Sequence, residues 1–295
     1  MTVNLTALTR RLAKAAEPLH SCAYYADEVK RFTEFGFSGW WHAYFAYRAA
    51  PMGAASARDV TVAFYNFAPR MVEKAVPNCW EVMSPSNVRQ QQIHIMEQAL
   101  HRIFEGDAPD GKAAYAAEAL RETLPGLETS DRPLFEAWRT EPWPEPVLLS
   151  LWHAATLLRE YRFDGHNDAL RQADISGLGC HLMMAADGRG TPTVIQAIRG
   201  WTPQEWQREA ENLRSRGWIN AEGLHTELGR SVRRDVELVT DHNAELVVAD
   251  LGDQRSGKVL EALEAIAGFL VKTGTVPGSW PPKHLGQMEI GRAHV

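Results

Sequence analysis

The densest set of side chains able to do chemistry lies in "LWHAATLLREYRFDGHNDAL" (151–170), which brings Arg159, Glu160, Arg162, Asp164 and His166 close together along the chain. An Asp-x-His pair can move a proton, because imidazole titrates nearest neutrality. Two arginines beside it can hold a carboxylate or phosphate. The same residues can equally tie helices together as an ion-pair network, so the role of this polar cluster stays open. "FDGHNDAL" reads as a turn, with Asp164 or Gly165 near the start of the next helix. His94, Glu97 and His101 share one helix face at a spacing that metal sites use, but that spacing also arises by chance in "QQQIHIMEQALHRIF". No metal or cofactor is assigned. Cys22, Cys79 and Cys180 stand far apart with no CxxC pairing, which suits a reducing compartment. There is no nucleophile elbow, Walker loop or GxGxxG, and "ADGRGTP" lacks the strand and lysine of a phosphate loop. No catalytic residue is assigned, and the balance falls against an enzyme.

Two other sets invite binding rather than catalysis. Duplex DNA is read by Arg, Asn or Gln presented near the N-terminus of a helix. In "WTPQEWQREAENLRSRGW" (201–218) the outward candidates are Gln204, Gln207 and Arg208, with Glu211 beside them. Arg230, Arg233 and Arg234 in "GLHTELGRSVRRDVE" (223–237) can reach phosphates, or can pair with Asp235 and Glu237 on a solvated face. The segment 202–218 balances three acids, Glu205, Glu209 and Glu211, against Arg208, Arg214 and Arg216. The second set is aromatic. Trp40, Trp41, Tyr44, Tyr65 and Phe67, joined by His20, His42 and Arg48, have the make-up of a small-molecule pocket, mostly apolar with a few polar groups. The same composition also serves an ordinary core.

The elements that must position these groups are helical. Thr202 heads a capping box, with Pro203 at the first helical position and Glu205 at the third. Gly200 can end the short helix "TPTVIQAIRG" before it. Thr226 caps the helix that follows "INAEG", and that stretch reads as a tight β-wing turn. An internal repeat organises the rest. Ser38-Gly39 and Trp80 fall in register with Ser176-Gly177 and Trp218, and Val88-Arg89 matches Val232-Arg233 after a short insertion in the later copy. This gives a first, wingless repeat at 5–106, a helical and Pro-rich linker at 107–144, and a second, winged repeat at 145–252. A C-terminal helix and tail fill 253–288. Residues 289–295, "EIGRAHV", read as a sequencing-adapter tail and carry no functional weight. The expected fold class is mainly α: tandem winged-helix-like units with a small β-wing in the second.

The run "LRSRGWINAEGLHTELGRSVR" resembles the recognition helix, wing and following helix of MarR-type regulators. More of the chain, through "GWWHAYFAYRAAPMG", "AFYNFAPRMVEKAVPNCW", "LWHAATLLREYRFDGHNDAL" and "VELVTDHNA", is similar to a mainly actinobacterial helix-turn-helix family of the MarR superfamily. The resemblance implies a transcriptional regulator with duplex DNA as partner and a small-molecule effector sensed by the aromatic first repeat. The "INAEG" turn departs from that pattern in lacking an arginine for the minor groove. The alternative is a ligand-binding or enzymatic protein that keeps the winged-helix shape without touching DNA. MarR proteins pair as dimers, so two copies in one chain imply either an internal pseudo-two-fold or a homodimer. At 295 residues and 45% hydrophobic content the chain can bury a substantial core. A net charge of −6 advertises no polyanion-binding surface beyond a local patch. No run is long and apolar enough for a membrane span, and a cytoplasmic protein is expected.

Overall fold

The computed structural model describes residues 5–105 and 111–278, so the segment 289–295 lies outside the described residues, as does the end of the C-terminal segment. The first half of the chain forms α1 (Leu5–Tyr25), α2 (Trp40–Ala49), α3 (Ala57–Phe64), α4 (Pro69–Glu73), α5 (Cys79–Val82) and α6 (Pro85–Ile103). The linker folds into α7 (Gly111–Thr123) and α8 (Pro133–Arg139). The second half forms α9 (Val147–Gln172), α10 (Gly177–Ala186), α11 (Pro192–Arg199), α12 (Pro203–Ser215), α13 (Glu227–His242), α14 (Glu245–Leu251) and α15 (Asp253–Lys272).

The helix starts follow from local chemistry. Ser56, Ser84, Ser176, Thr191, Thr202 and Thr226 each accept an otherwise orphaned backbone N–H of the helix they precede. The Thr202–Glu205 capping box forms as its spacing predicts. Gly200 closes α11 in the left-handed conformation at φ 76°.

The α9 helix is the strut of the molecule. Its first turns bury Trp152, Leu157 and Tyr161 in the larger core, built with α1, α2, α6, α7, α8 and α15. Its last turn places Ala169 and Leu170 in a smaller core with Leu182 of α10, Leu213 of α12 and Val236 of α13. The two cores therefore share one helix, and the helix-turn-helix segment is carried on its C-terminal end.

Two expectations are corrected. The fold is mainly α as expected, but the β-wing is absent: among the described residues there is no strand, and Ile219 and His225 form a single isolated bridge. The segment is too short for a ladder. Its turn closes at once, with Asn220 accepting from Gly223 N (3.1 Å) and donating to Leu224 O (2.9 Å). Beyond the bridge, Thr226 N bonds Trp218 O (3.0 Å) and Thr226 already caps α13. Winged-helix geometry therefore gives way to a helix-turn-helix followed by a pinned turn. The second correction concerns "FDGHNDAL", which lies within α9 rather than in a turn. Asp164 faces α8, accepting from the N–H groups of Leu134 (3.0 Å) and Phe135 (2.9 Å) at that helix's start. Gly165 is tolerated mid-helix because a Cβ there would lie 3.0 Å from both Arg132 Nη1 and Asn243 Cβ.

Candidate nucleic-acid interface and the cleft beside it

The α11–Gly200–α12 segment is held from both sides. Its inner residues Ile195, Ile198, Ala210 and Leu213 are buried. The loop after α3 meets it from the first half of the chain: Ala68 N donates to Arg199 O (2.8 Å), and Asn66 O accepts from Trp201 Nε1 (3.1 Å) and His181 Nε2 (3.1 Å). Tyr65 donates to Ile175 O (2.5 Å), and its own carbonyl lies where a side chain on Gly177 would be, 2.1 Å from an added Cβ. Arg70 of α4 grips the capping residue Glu205 with two nitrogens at 2.7 Å each, and also donates to Gly200 O. This bidentate pair and the Thr202 bonds hold the Glu205 carboxyl down at about 2. Arg70 is a supporting residue that sequence reasoning missed, since nothing in α4 signals a partner so far along the chain.

With its inner face fixed, α12 presents Gln204, Gln207 and Arg208 to solvent. Gln207 bonds Glu211 (2.9 Å). Arg208 has no ion-pair or hydrogen-bond partner among the described residues. Beyond the pinned turn, Thr226 accepts from Gly229 N (3.0 Å) and donates to Gly217 O (2.5 Å). Gly229 lets the Trp218 carbonyl approach, because an added Cβ would meet that oxygen at 1.9 Å. The threonine-to-glycine spacing in "HTELGR" is thus explained by backbone packing. Arg230 and Arg234 are exposed and lie near Glu227, at 3.0 and 3.7 Å. Arg233 is different: only 16% of its side chain is exposed, and it pairs with Glu237 (2.7 Å) and Asp187 (3.5 Å). Arg233 belongs to a cleft rather than to the outer face of α12.

That cleft, of about 700 Å³, lies between α1, α9 and α13. From α1 come Arg10, Lys14 and Glu17; from α9, Arg159, Arg162, Phe163 and His166; from α13, Arg233, Arg234, Glu237 and Leu238. Arg162 bonds Asp241 (2.8 Å) and Glu237 (3.1 Å), while Arg10 bonds Asp241 from the other side (2.7 Å). His166 donates from Nδ1 to Thr240 (2.9 Å), since that hydroxyl spends its own proton on Val236 O. Its Nε2 faces the Cys180 thiol at 4.0 Å. Burial pushes the imidazole down to about 4, so it is neutral near pH 7.

Of the polar cluster on α9, Arg159, Arg162 and His166 therefore meet in the cleft. Glu160 lies behind them, bonded to Arg159 (2.7 Å) and paired with Arg48 (3.7 Å). Asp164 turns the other way to α8, and burial pushes its carboxyl up to about 7 against the pull of two backbone donors. Phe163, Leu238, Arg10 and Lys14 also line the cleft, as do Asp187 and Arg189 just past α10, and none of them stands out in the sequence, where nothing links α1 to α13 across so many residues.

The aromatic set divides. Trp41, Tyr44 and Phe67 stack edge-on and tilted, with centroids 5.4 to 6.1 Å apart. Trp40 leans on Tyr44 at 6.5 Å. Arg48 donates to Tyr44 (3.1 Å) and lies over Phe64 (4.1 Å). His20 bonds Thr156 (3.1 Å) and Tyr24 (3.0 Å), which in turn touches Tyr44. His42 stands apart, bonded to Ser38. Tyr65 belongs to the α9–α10 junction, under Arg171. The rings largely fill each other's space.

A model of a helix-turn-helix family matches residues 9–277. No curated protein matches the chain, and no solved structure does. No described helix is long and apolar enough to cross a membrane.

Proposed function

Since this chain belongs to a helix-turn-helix family, its match spanning residues 9–277, we propose that it binds duplex DNA as a transcriptional regulator, with α12 as the reader. The observation that carries this reading is the exposed edge of Gln204, Gln207 and Arg208 on a helix whose other side is locked by the Thr202 box and Arg70. Glutamine and arginine are the side chains that meet adenine and guanine edges in the major groove. Arg230 and Arg234, exposed past the pinned turn, supply phosphate contacts. The likeness of "LRSRGWINAEGLHTELGRSVR" to MarR-type regulators supports placing the protein in that type, without its wing.

We also read residues 5–106 and 145–252 as two copies of one unit. Order and length of the helices support this: α2 and α10 each have 10 residues and start at a Ser-Gly pair, α2 just after Gly39 and α10 at Gly177, while α3 and α11 each have 8. Where the second copy has α12, the first has only the short α4 and α5, so it offers no reader. A second reading, a ligand-binding protein that leaves DNA alone, is favoured by the cleft. Selection from a pool of genomic fragments separates the two. The regulator enriches one sequence class, and the Gln204→Ala/Arg208→Ala double variant loses that enrichment. Enrichment that survives both changes moves the reader off α12, and no enrichment rejects DNA binding.

A further inference from the structure

We propose that the cleft between α1, α9 and α13 binds a small amphiphilic oxyanion, a carboxylate or phosphate headgroup on an apolar body. The inference does not depend on DNA binding. At about 700 Å³ the cleft is of the size that holds small organic ligands. Its charge runs against that of the chain, which is −6 overall. The carboxylates within reach are mostly shared, one acid serving two cations. Asp241 stands between Arg10 and Arg162, Glu237 between Arg162 and Arg233, and Glu160 between Arg159 and Arg48. Behind the floor, Arg48 is only 4% exposed and meets Glu160 at no closer than 3.7 Å, so that its Nε and Nη2, and the Glu160 Oε1, make no hydrogen bond. At the rim, Lys14 is exposed and has no carboxylate partner among the described residues. Positive charge is thus under-compensated from floor to mouth, and an incoming oxyanion completes it.

Three of the cleft's arginines are also set back from a duplex, Arg234 at the rim being exposed. Arg159, Arg162 and Arg233 keep only 16–23% of their side chains exposed, whereas backbone phosphates of a stiff duplex are met by protruding side chains. The apolar body has its own wall. Leu238 is 53% exposed, and Phe163 and Ala13 line the same space. The guanidinium of Arg159 lies over the Phe163 ring at 4.3 Å, so headgroup and body sites adjoin.

Calorimetric titration of the full chain with octanoate, octyl phosphate, octanol and inorganic phosphate tests the proposal. One or both of the octyl oxyanions bind, with octanol and inorganic phosphate about tenfold weaker or worse, and the tighter of the two identifies the headgroup. Lys14→Gln and Leu238→Asn, both at exposed positions that leave the cores intact, each weaken binding about fivefold, the effect of losing one contact of this kind. The proposal is overturned if octanol binds as tightly as octanoate, if inorganic phosphate equals octyl phosphate, if neither oxyanion binds, or if both variants bind as the parent does. It is equally overturned if Lys14→Gln leaves oxyanion binding intact and instead weakens duplex binding.

Discussion

Gly229 and Gly177 are where single atoms decide the local backbone. An added Cβ would meet the Trp218 carbonyl at 1.9 Å in one case and the Tyr65 carbonyl at 2.1 Å in the other, and neither oxygen sits at the end of a flexible side chain. Gly229→Ala is therefore expected to destabilise the fold by about 2 kcal/mol or more in urea unfolding. Gly268→Ala is the contrast, since it occupies an exposed position of α15 with nothing within 4 Å. That change should stabilise by about 0.5–1 kcal/mol through helix propensity. Equal effects of the two changes would contradict this account of "HTELGR". Residue by residue, the caps were legible in the sequence, because a cap is a contact between near neighbours: Thr202 with Glu205, Thr226 with Gly229. The near partner of Arg233, Glu237 one turn on, is legible in the same way; its second partner, Asp187, is not, because it lies far along the chain and comes near only through tertiary packing.

Helix α9 shows why elements were harder to read than caps. "FDGHNDAL" has the composition of a turn, yet it is helical because tertiary contacts outweigh local preference. Asp164 caps α8 from outside, and Arg132 bonds Tyr161 O (2.6 Å) and Asn243 O around Gly165. Asp164→Ala would leave two backbone N–H groups buried without partners and should cost about 2 kcal/mol or more. A loss below about 0.5 kcal/mol would show that α8 does not need this carboxylate. The missing wing has the opposite cause. The "INAEG" residues do turn, but not as a β-wing: strands need paired residues on both flanks, and here Trp218 and Ile219 turn into the core while Thr226 starts a helix. Length between fixed ends, rather than composition, decided that element.

The whole molecule has a pH response set by its buried imidazoles. Burial holds His166 down to about 4, and His153 and His181 to about 3. The unfolded chain takes up these protons near pH 6.5, so each imidazole removes about 1.4 kcal/mol of stability per pH unit below that. Asp164, pushed up to about 7 by burial, works the other way between about pH 7 and 4, since there the folded state holds the extra proton. Three imidazoles outweigh one carboxyl, and stability should fall as pH drops from 6.5 to 5. Stability that is flat or rising over that window in denaturant titrations would contradict the assignment. At this scale the helical class and the helix-turn-helix were visible in spacing and caps, whereas the cleft was not, because it is made by helices at opposite ends of the chain. The central claim, that α12 reads DNA, is tested most directly by fluorescence anisotropy with duplex from the gene's upstream region at about 50 and 200 mM salt, the range over which phosphate contacts weaken sharply. The account predicts binding at the lower salt that weakens about tenfold or more at the higher, and a further loss of about tenfold in Arg208→Ala. No binding at the lower salt, or binding that Arg208→Ala leaves unchanged, would contradict it.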